Sequence, residues 1–399
     1  MNGRNSRGTA RACCAGIANQ AVVTNVSAVL FVPFMRLYGF TYVQLGFLAA
    51  AGFAAQMAAD ILLLFLIDRA PSSALAALAA AMSCAGLVFY GCVPCLFAGA
   101  EFYGILAATV VFAFAGGMLE VVLSNAAGAL PEGEASLPFL HTVYAWAQVA
   151  LALFLLLWLS LFGAESWNFA VLALAALPAA VFALLPSARF PPPQKDAPAR
   201  AAFTPLYLFA VFAVFFGYGA EAVMNQWVGT YAAQLFGEEP GSAAGCALFA
   251  LCLGTGGALY VRISGKKRAG LPLLIGCALP AAAAYLLAAL LPGTSALAAA
   301  ALCGLFVGVL SPGAMSAAGA ALPRTGGWML ASLAIAQDIG AAVLPALSGA
   351  AAEAVSVRAA FLFLAAAPVL SALAMVYMAR AAKRAERIKK TLRMPQEKI

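Results

Sequence analysis

Residues 187–200 read SARFPPPQKDAPAR, the longest polar interruption in a chain that is otherwise almost continuously apolar. Three consecutive prolines, Pro191 to Pro193, stiffen this segment, and its mixed charge keeps it in water, so it reads as a linker. On each side lie six apolar stretches of membrane-spanning length, separated by short breaks carrying Pro, Gly or charge. Two equal sets of hydrophobic segments around a polar joint predict two six-helix bundles. The expected layout is an N-terminal bundle at 1–186, a cytoplasmic linker at 187–203, a C-terminal bundle at 204–381 and a basic cytoplasmic tail at 382–399.

Composition leads to the same class. The chain has 399 residues, 65% of them hydrophobic and 9% charged. A soluble domain carries about 25% charge. At roughly 20 residues per crossing, this length holds about 12 spans. The first expected helix covers about residues 11–37, the sixth 168–185, the tenth 295–321 and the twelfth 357–379. The run after Arg11 is interrupted by Asn19, Gln20 and Asn25, so it reads as an uncleaved span rather than a signal peptide. The fold class is therefore all-α integral membrane, with twelve transmembrane helices.

Charge placement sets the orientation. With the N-terminus in the cytoplasm, all but Arg36 and Arg358 of the 22 Lys and Arg fall on the inner side. Positive residues favour the cytoplasmic side, so both termini are expected inside. This bias accounts for the net charge of +7 without nucleic acid, and the basic tail can touch anionic membrane lipid. A single histidine, His141, leaves no set of ligands for a metal, and no cofactor motif is present. Cys92 and Cys95 have redox spacing, but no βαβ context surrounds them.

Most of the fifteen acids lie in loops, at helix ends or in the tail. Asp60, Glu120, Glu221 and Asp338 do not. A carboxyl group in hydrocarbon is costly and must meet a cavity, a partner or water. Glu120 lies about 15 Å from the inner end of its helix, and Gln148 on the next helix lies at similar depth. His141, Tyr144 and Gln148 share one face by their i, i+3, i+7 spacing. Asn125 lies near Glu120 in sequence, and Gln20 adds a polar side chain from the first helix. On helix 7, Tyr218, Glu221 and Asn225 repeat that spacing, followed by Gln226 and Trp227. Acids and amides bond hydroxyls, and aromatic rings cover apolar faces, as a sugar requires. Asp60 and Asp338 lie at about 12 and 15 Å from the inner ends of helices 2 and 11. Two facing carboxyl groups cannot both be charged cheaply, so they are candidates for a proton-sensitive gate.

The two halves, the inner linker and the Asp68-Arg69 pair after helix 2 resemble the major facilitator superfamily. Within it, GMLEVVLSNAAGALPEGEASLPFLHTVYAWAQ (117–148) is similar to the helix 4–5 region of the fucose:proton symporter branch, as are GAEAVMNQW (219–227) and QMAADILLLFLIDR (56–69) to its bacterial members. The resemblance implies that helices 2 and 11 meet across the halves. It also makes Glu120 a proton-coupling, sugar-facing residue with Asn125 beside it, and puts His141 and Tyr144 on the sugar-facing helix. No acid stands in helix 1, where that branch carries one. The function this implies is secondary transport of a small polar solute, a sugar or sugar-like compound, in symport with protons. A proton-antiporting exporter of amphipathic compounds has the same fold. Proton coupling falls to Glu120, Asp60 and Asp338. Solute contact falls to Glu221, Asn225, Gln226, Trp227, Tyr218, Gln148, Tyr144, His141, Asn125 and Gln20. A monomer in the bacterial cytoplasmic membrane is expected.

Overall fold

The structure is a computed structural model and describes residues 3–66, 69–128, 137–190, 204–236, 239–267, 270–321 and 326–393. Twelve helices among them are long and apolar enough to cross a membrane. In chain order, spans 1 to 6 are Arg7–Val29, Tyr42–Leu66, Ser72–Leu96, Glu101–Ala127, Thr142–Phe162 and Ala164–Ser187. Spans 7 to 12 are Pro205–Phe236, Gly241–Ile263, Gly270–Leu290, Gly293–Gly319, Ala331–Ala354 and Val357–Arg384. The chain is a multi-pass membrane protein, and an even number of crossings brings both ends to one face. There Thr9 Oγ1 accepts from the Arg189 amide at 2.8 Å, tying the start of span 1 to the exit of span 6.

Four of the expected helices are broken. The stretch expected at 11–37 is Gly3–Val29 followed by Phe31–Tyr38, and span 6 divides into Trp167–Leu174 and Ala176–Leu184. Span 10 divides into Gly293–Val307 and Leu310–Ala321, and span 12 into Val357–Leu364 and Ala366–Arg393. A proline follows each break: Pro33, Pro178, Pro312 and Pro368. Proline lacks the amide hydrogen and its ring crowds the carbonyl four residues earlier. In three of the four cases that earlier residue is the last of the preceding helix. The final helix continues to Arg393, through the start of the expected tail, because Ala, Lys, Arg and Glu all favour helix. Asp68, the linker prolines and the loop after span 4 lie outside the described residues.

The apolar core is arranged differently on the two faces. Away from the termini, one continuous cluster joins both halves, including Phe31, Phe34, Leu45, Trp227, Tyr231 and Phe361. Toward the termini the packing divides. One cluster around Leu63, Leu119 and Leu123 belongs to the first half, and another around Val214, Leu310 and Leu333 to the second. The halves meet along two seams, span 2 against span 11 and span 5 against span 8. The first seam is tight at the end away from the termini. The Tyr42 amide donates to Glu353 Oε2 at 2.8 Å, and a Cβ placed on Gly349 would lie 2.7 Å from the Tyr42 carbonyl oxygen. This face of the bundle is closed.

Candidate proton and solute site

Paired glycines set the position of Glu120. A Cβ on Gly116 would meet Gln20 Oε1 at 2.3 Å, and one on Gly117 would meet the Gln56 carbonyl oxygen at 2.9 Å. Only glycine lets span 4 lie this close to spans 1 and 2. One turn later Glu120 Oε2 accepts from Gln20 Nε2 at 2.9 Å and from Gln56 Nε2 at 3.1 Å. Two amide donors on two helices therefore hold one carboxylate oxygen. Such charge-assisted bonds are stronger than neutral ones.

Asp60 lies one turn beyond Gln56, on the same face of span 2. Its carboxyl group is hydrogen-bonded to that of Asp338 on span 11, across the seam between the halves. A carboxylate has no donor, so this contact requires a proton on one partner. Asp338 is 2% exposed, and its Oδ2 has no hydrogen-bond partner among the described residues. Glu120 is within electrostatic reach of both. The structure therefore brings together Glu120, Asp60 and Asp338 from spans 4, 2 and 11.

A second group lies nearer the closed face. Gln148 Nε2 donates to Asn225 Oδ1, and Asn225 Nδ2 donates to Asn25 Oδ1. Asn25 Nδ2 in turn donates to the Tyr144 hydroxyl at 3.1 Å and to the Ala21 carbonyl at 2.8 Å. This chain of amides links spans 5, 7 and 1 and crosses between the halves. Glu221 lies one turn before Asn225 on the same face of span 7. It is half-buried, and no hydrogen bond reaches its carboxylate among the described residues. Tyr144, Tyr218 and Tyr285 all lie within its electrostatic reach. Tyr218 is also near Glu120 and Asp338, and so stands between the two groups. Its ring meets Phe53 edge-on at 6.3 Å. Gln226 lines a small cavity with Thr24, Phe53, Gln56 and Thr109.

The remaining expected residues are placed differently. Trp227 is 1% exposed, with ring contacts to Phe31 at 5.6 Å and Tyr42 at 5.9 Å. Its Nε1 donates to the Pro345 carbonyl of the same half at 3.3 Å, while the ring contacts with Phe31 and Tyr42 join the halves at the closed face. Asn125 is exposed. The His141 side chain lies outside the described residues. Asn25 is central to the amide chain although the sequence reading gave it no solute contact. Its signal was an Asn deep in the first span of one half, matched by Asn225 deep in the first span of the other.

No family model matches the chain, and no curated protein matches it by sequence. Solved structures match it throughout its length. A major facilitator superfamily transporter, FucP, in the outward conformation, superposes with a TM-score of 0.66 at 19% identity, covering 92% of this chain and 98% of the other. A bacterial homologue of the human lysosomal transporter Spinster, inward-facing and occupied, gives 0.71 at 17% identity over 94% and 96%. A D-xylose–proton symporter gives 0.74 at 12% identity over 94% and 96%.

Proposed function

With the major facilitator fold as the premise, we propose that the protein is a secondary active transporter that carries a small polar organic solute, a sugar or sugar-like compound, in symport with protons. One observation carries this reading: three carboxyl groups from both halves converge within the apolar spans, with no Lys or Arg in the central turns of any span. Uncompensated acids in hydrocarbon bind protons or cationic partners, and proton relays are built from such residues. Glu120, held by Gln20 and Gln56, is the coupling site. The Asp60–Asp338 contact is the gate. While the termini-bearing ends of spans 2 and 11 touch, the two acids share one proton. Parting the halves hydrates both and releases it. Alternating access follows from rocking of the halves about the layer of Tyr218, Glu221, Asn225 and Gln148. Both termini face the cytoplasm, and the protein works as a monomer in the bacterial cytoplasmic membrane.

The test is uptake into proteoliposomes with an imposed pH gradient, using radiolabelled monosaccharides. Accumulation toward the alkaline lumen supports symport. Accumulation toward the acidic lumen identifies the proton-antiporting exporter instead, and equilibration without accumulation removes proton coupling.

A further inference from the structure

We infer that the transported solute carries a protonated amine beside its hydroxyl groups, with Glu221 as the charge partner of that amine. The inference rests on the transporter reading and narrows its substrate class. Three observations lead to it. Glu221 differs from Glu120, Asp60 and Asp338 in having no hydrogen-bond partner among the described residues, and no Lys or Arg stands in the central turns of any span to offset its charge. Its neighbourhood is aromatic. Tyr144, Tyr218 and Tyr285 are all within electrostatic reach, and an acid with aromatic side chains nearby suits an ammonium group, which aromatic rings attract.

The third observation is the sign of the unmet hydrogen bonding nearby. Gln148 is 4% exposed, and its Nε2 is bonded to Asn225, one turn from Glu221 on span 7. Its Oε1 has no partner among the described residues. Gln20 repeats the pattern, with Nε2 on Glu120 and Oε1 unmatched. Among the described residues the fully enclosed polar atoms without a partner are the hydroxyls of Thr24, Thr109, Thr230 and Ser242, which can donate or accept, and the oxygens Gln20 Oε1, Gln148 Oε1 and Asp338 Oδ2, of which the two amide oxygens can only accept. A buried acceptor left unmatched is costly, so the site fits a ligand rich in donors. An ammonium offers donors alone, hydroxyls supply the rest, and a carboxylate or phosphate would meet the negative charge of Glu221 and the unmatched amide oxygens.

The experiment uses the purified full chain in detergent at pH 7. Binding is measured by calorimetry and by thermal shift for glucosamine, galactosamine and serinol (2-amino-1,3-propanediol). Their neutral counterparts are glucose, galactose and glycerol, with sodium chloride as the ionic control. At least one amine should bind about tenfold or more tightly than its neutral counterpart. Glu221→Gln should abolish that preference while the unliganded protein melts as before. Tyr218→Phe, which keeps the ring, should retain the preference, and Tyr218→Leu should weaken it. The inference is overturned if no amine binds, if the neutral compounds bind as tightly, if the preference survives Glu221→Gln, or if sodium chloride gives the same shift. Accumulation of a neutral sugar under a pH gradient would overturn the amine class and leave the transporter reading intact. Binding of an amine without accumulation of any solute would do the reverse.

Discussion

Gly349→Ala should favour the arrangement in which the two halves separate at the face away from the termini. The added Cβ would lie 2.7 Å from the Tyr42 carbonyl oxygen and 3.1 Å from the Gly46 Cα. Both are backbone atoms that cannot rotate aside. Taking ordinary contact as about 3.4 Å, spans 2 and 11 must part there by about 0.7 Å. Overpacking of this kind costs about 1–3 kcal/mol. The cost falls only on the closed arrangement, because separation of the spans removes the clash. The ratio of open to closed should therefore rise by about 5- to 150-fold. Spin labels at Val43 and Val355, exposed by 49% and 71% at the ends of spans 2 and 11 away from the termini, report the change as a distance distribution. Wild type should give one short distance, and the variant should add a longer one. Gly46→Ala is the graded control, since its Cβ would approach Gly349 Cα no closer than 3.3 Å. An unchanged distribution in Gly349→Ala, or a larger effect from Gly46→Ala, would refute the close approach of these spans.

Four further expectations concern the acids and the packing around them. Gly116→Ala should impair proton coupling and destabilise by about 1–3 kcal/mol, because its Cβ displaces the end of Gln20 and presses on the buried Val23 Cγ2 at 2.6 Å, and Gly117→Ala, which meets Gln56 backbone, should destabilise by a similar amount; thermal melts beside transport assays check both. Asp60→Asn and Asp338→Asn should each flatten the pH dependence of transport, since an amide bonds a carboxylate without a shared proton. The double variant should add little more, and additive effects would sink the gate. Trp227→Ala should lower stability by about 3–5 kcal/mol, as expected for a buried indole, with solute affinity of the folded protein changed little by calorimetry. Glu120→Gln should abolish accumulation and leave exchange between equal pools.

The fold was legible because its determinants are local. Apolar run lengths, the 187–200 joint and the bias of Lys and Arg specify twelve spans without any knowledge of packing. The proline breaks at Leu30, Ala175, Val309 and Ala365 were equally readable, since each precedes a Pro by three residues, but apolar length alone hides them. Asp60 and Asp338 were matched by depth on helices expected to touch, and they are in contact. What sequence could not supply was direction around each helix axis. Trp227 adjoins Gln226 in sequence, yet its indole packs against Phe31 and Tyr42 while Gln226 lines the small cavity. Asn125 sits near Glu120 in sequence but is exposed. The role of Gly116 and Gly117 depends on which neighbours span 4 meets, and so emerges only with the fold.

The central claim is that Glu120 carries the proton that drives accumulation, and its most direct test compares two modes of transport by Glu120→Gln in proteoliposomes. Glutamine keeps an acceptor for Gln20 and Gln56 and binds no proton. With one proton coupled per solute, wild type should concentrate solute about tenfold for each pH unit imposed. The variant should show no accumulation, while exchange of labelled for unlabelled solute between equal pools continues at a rate comparable to wild type. Accumulation by Glu120→Gln equal to that of wild type would contradict the account.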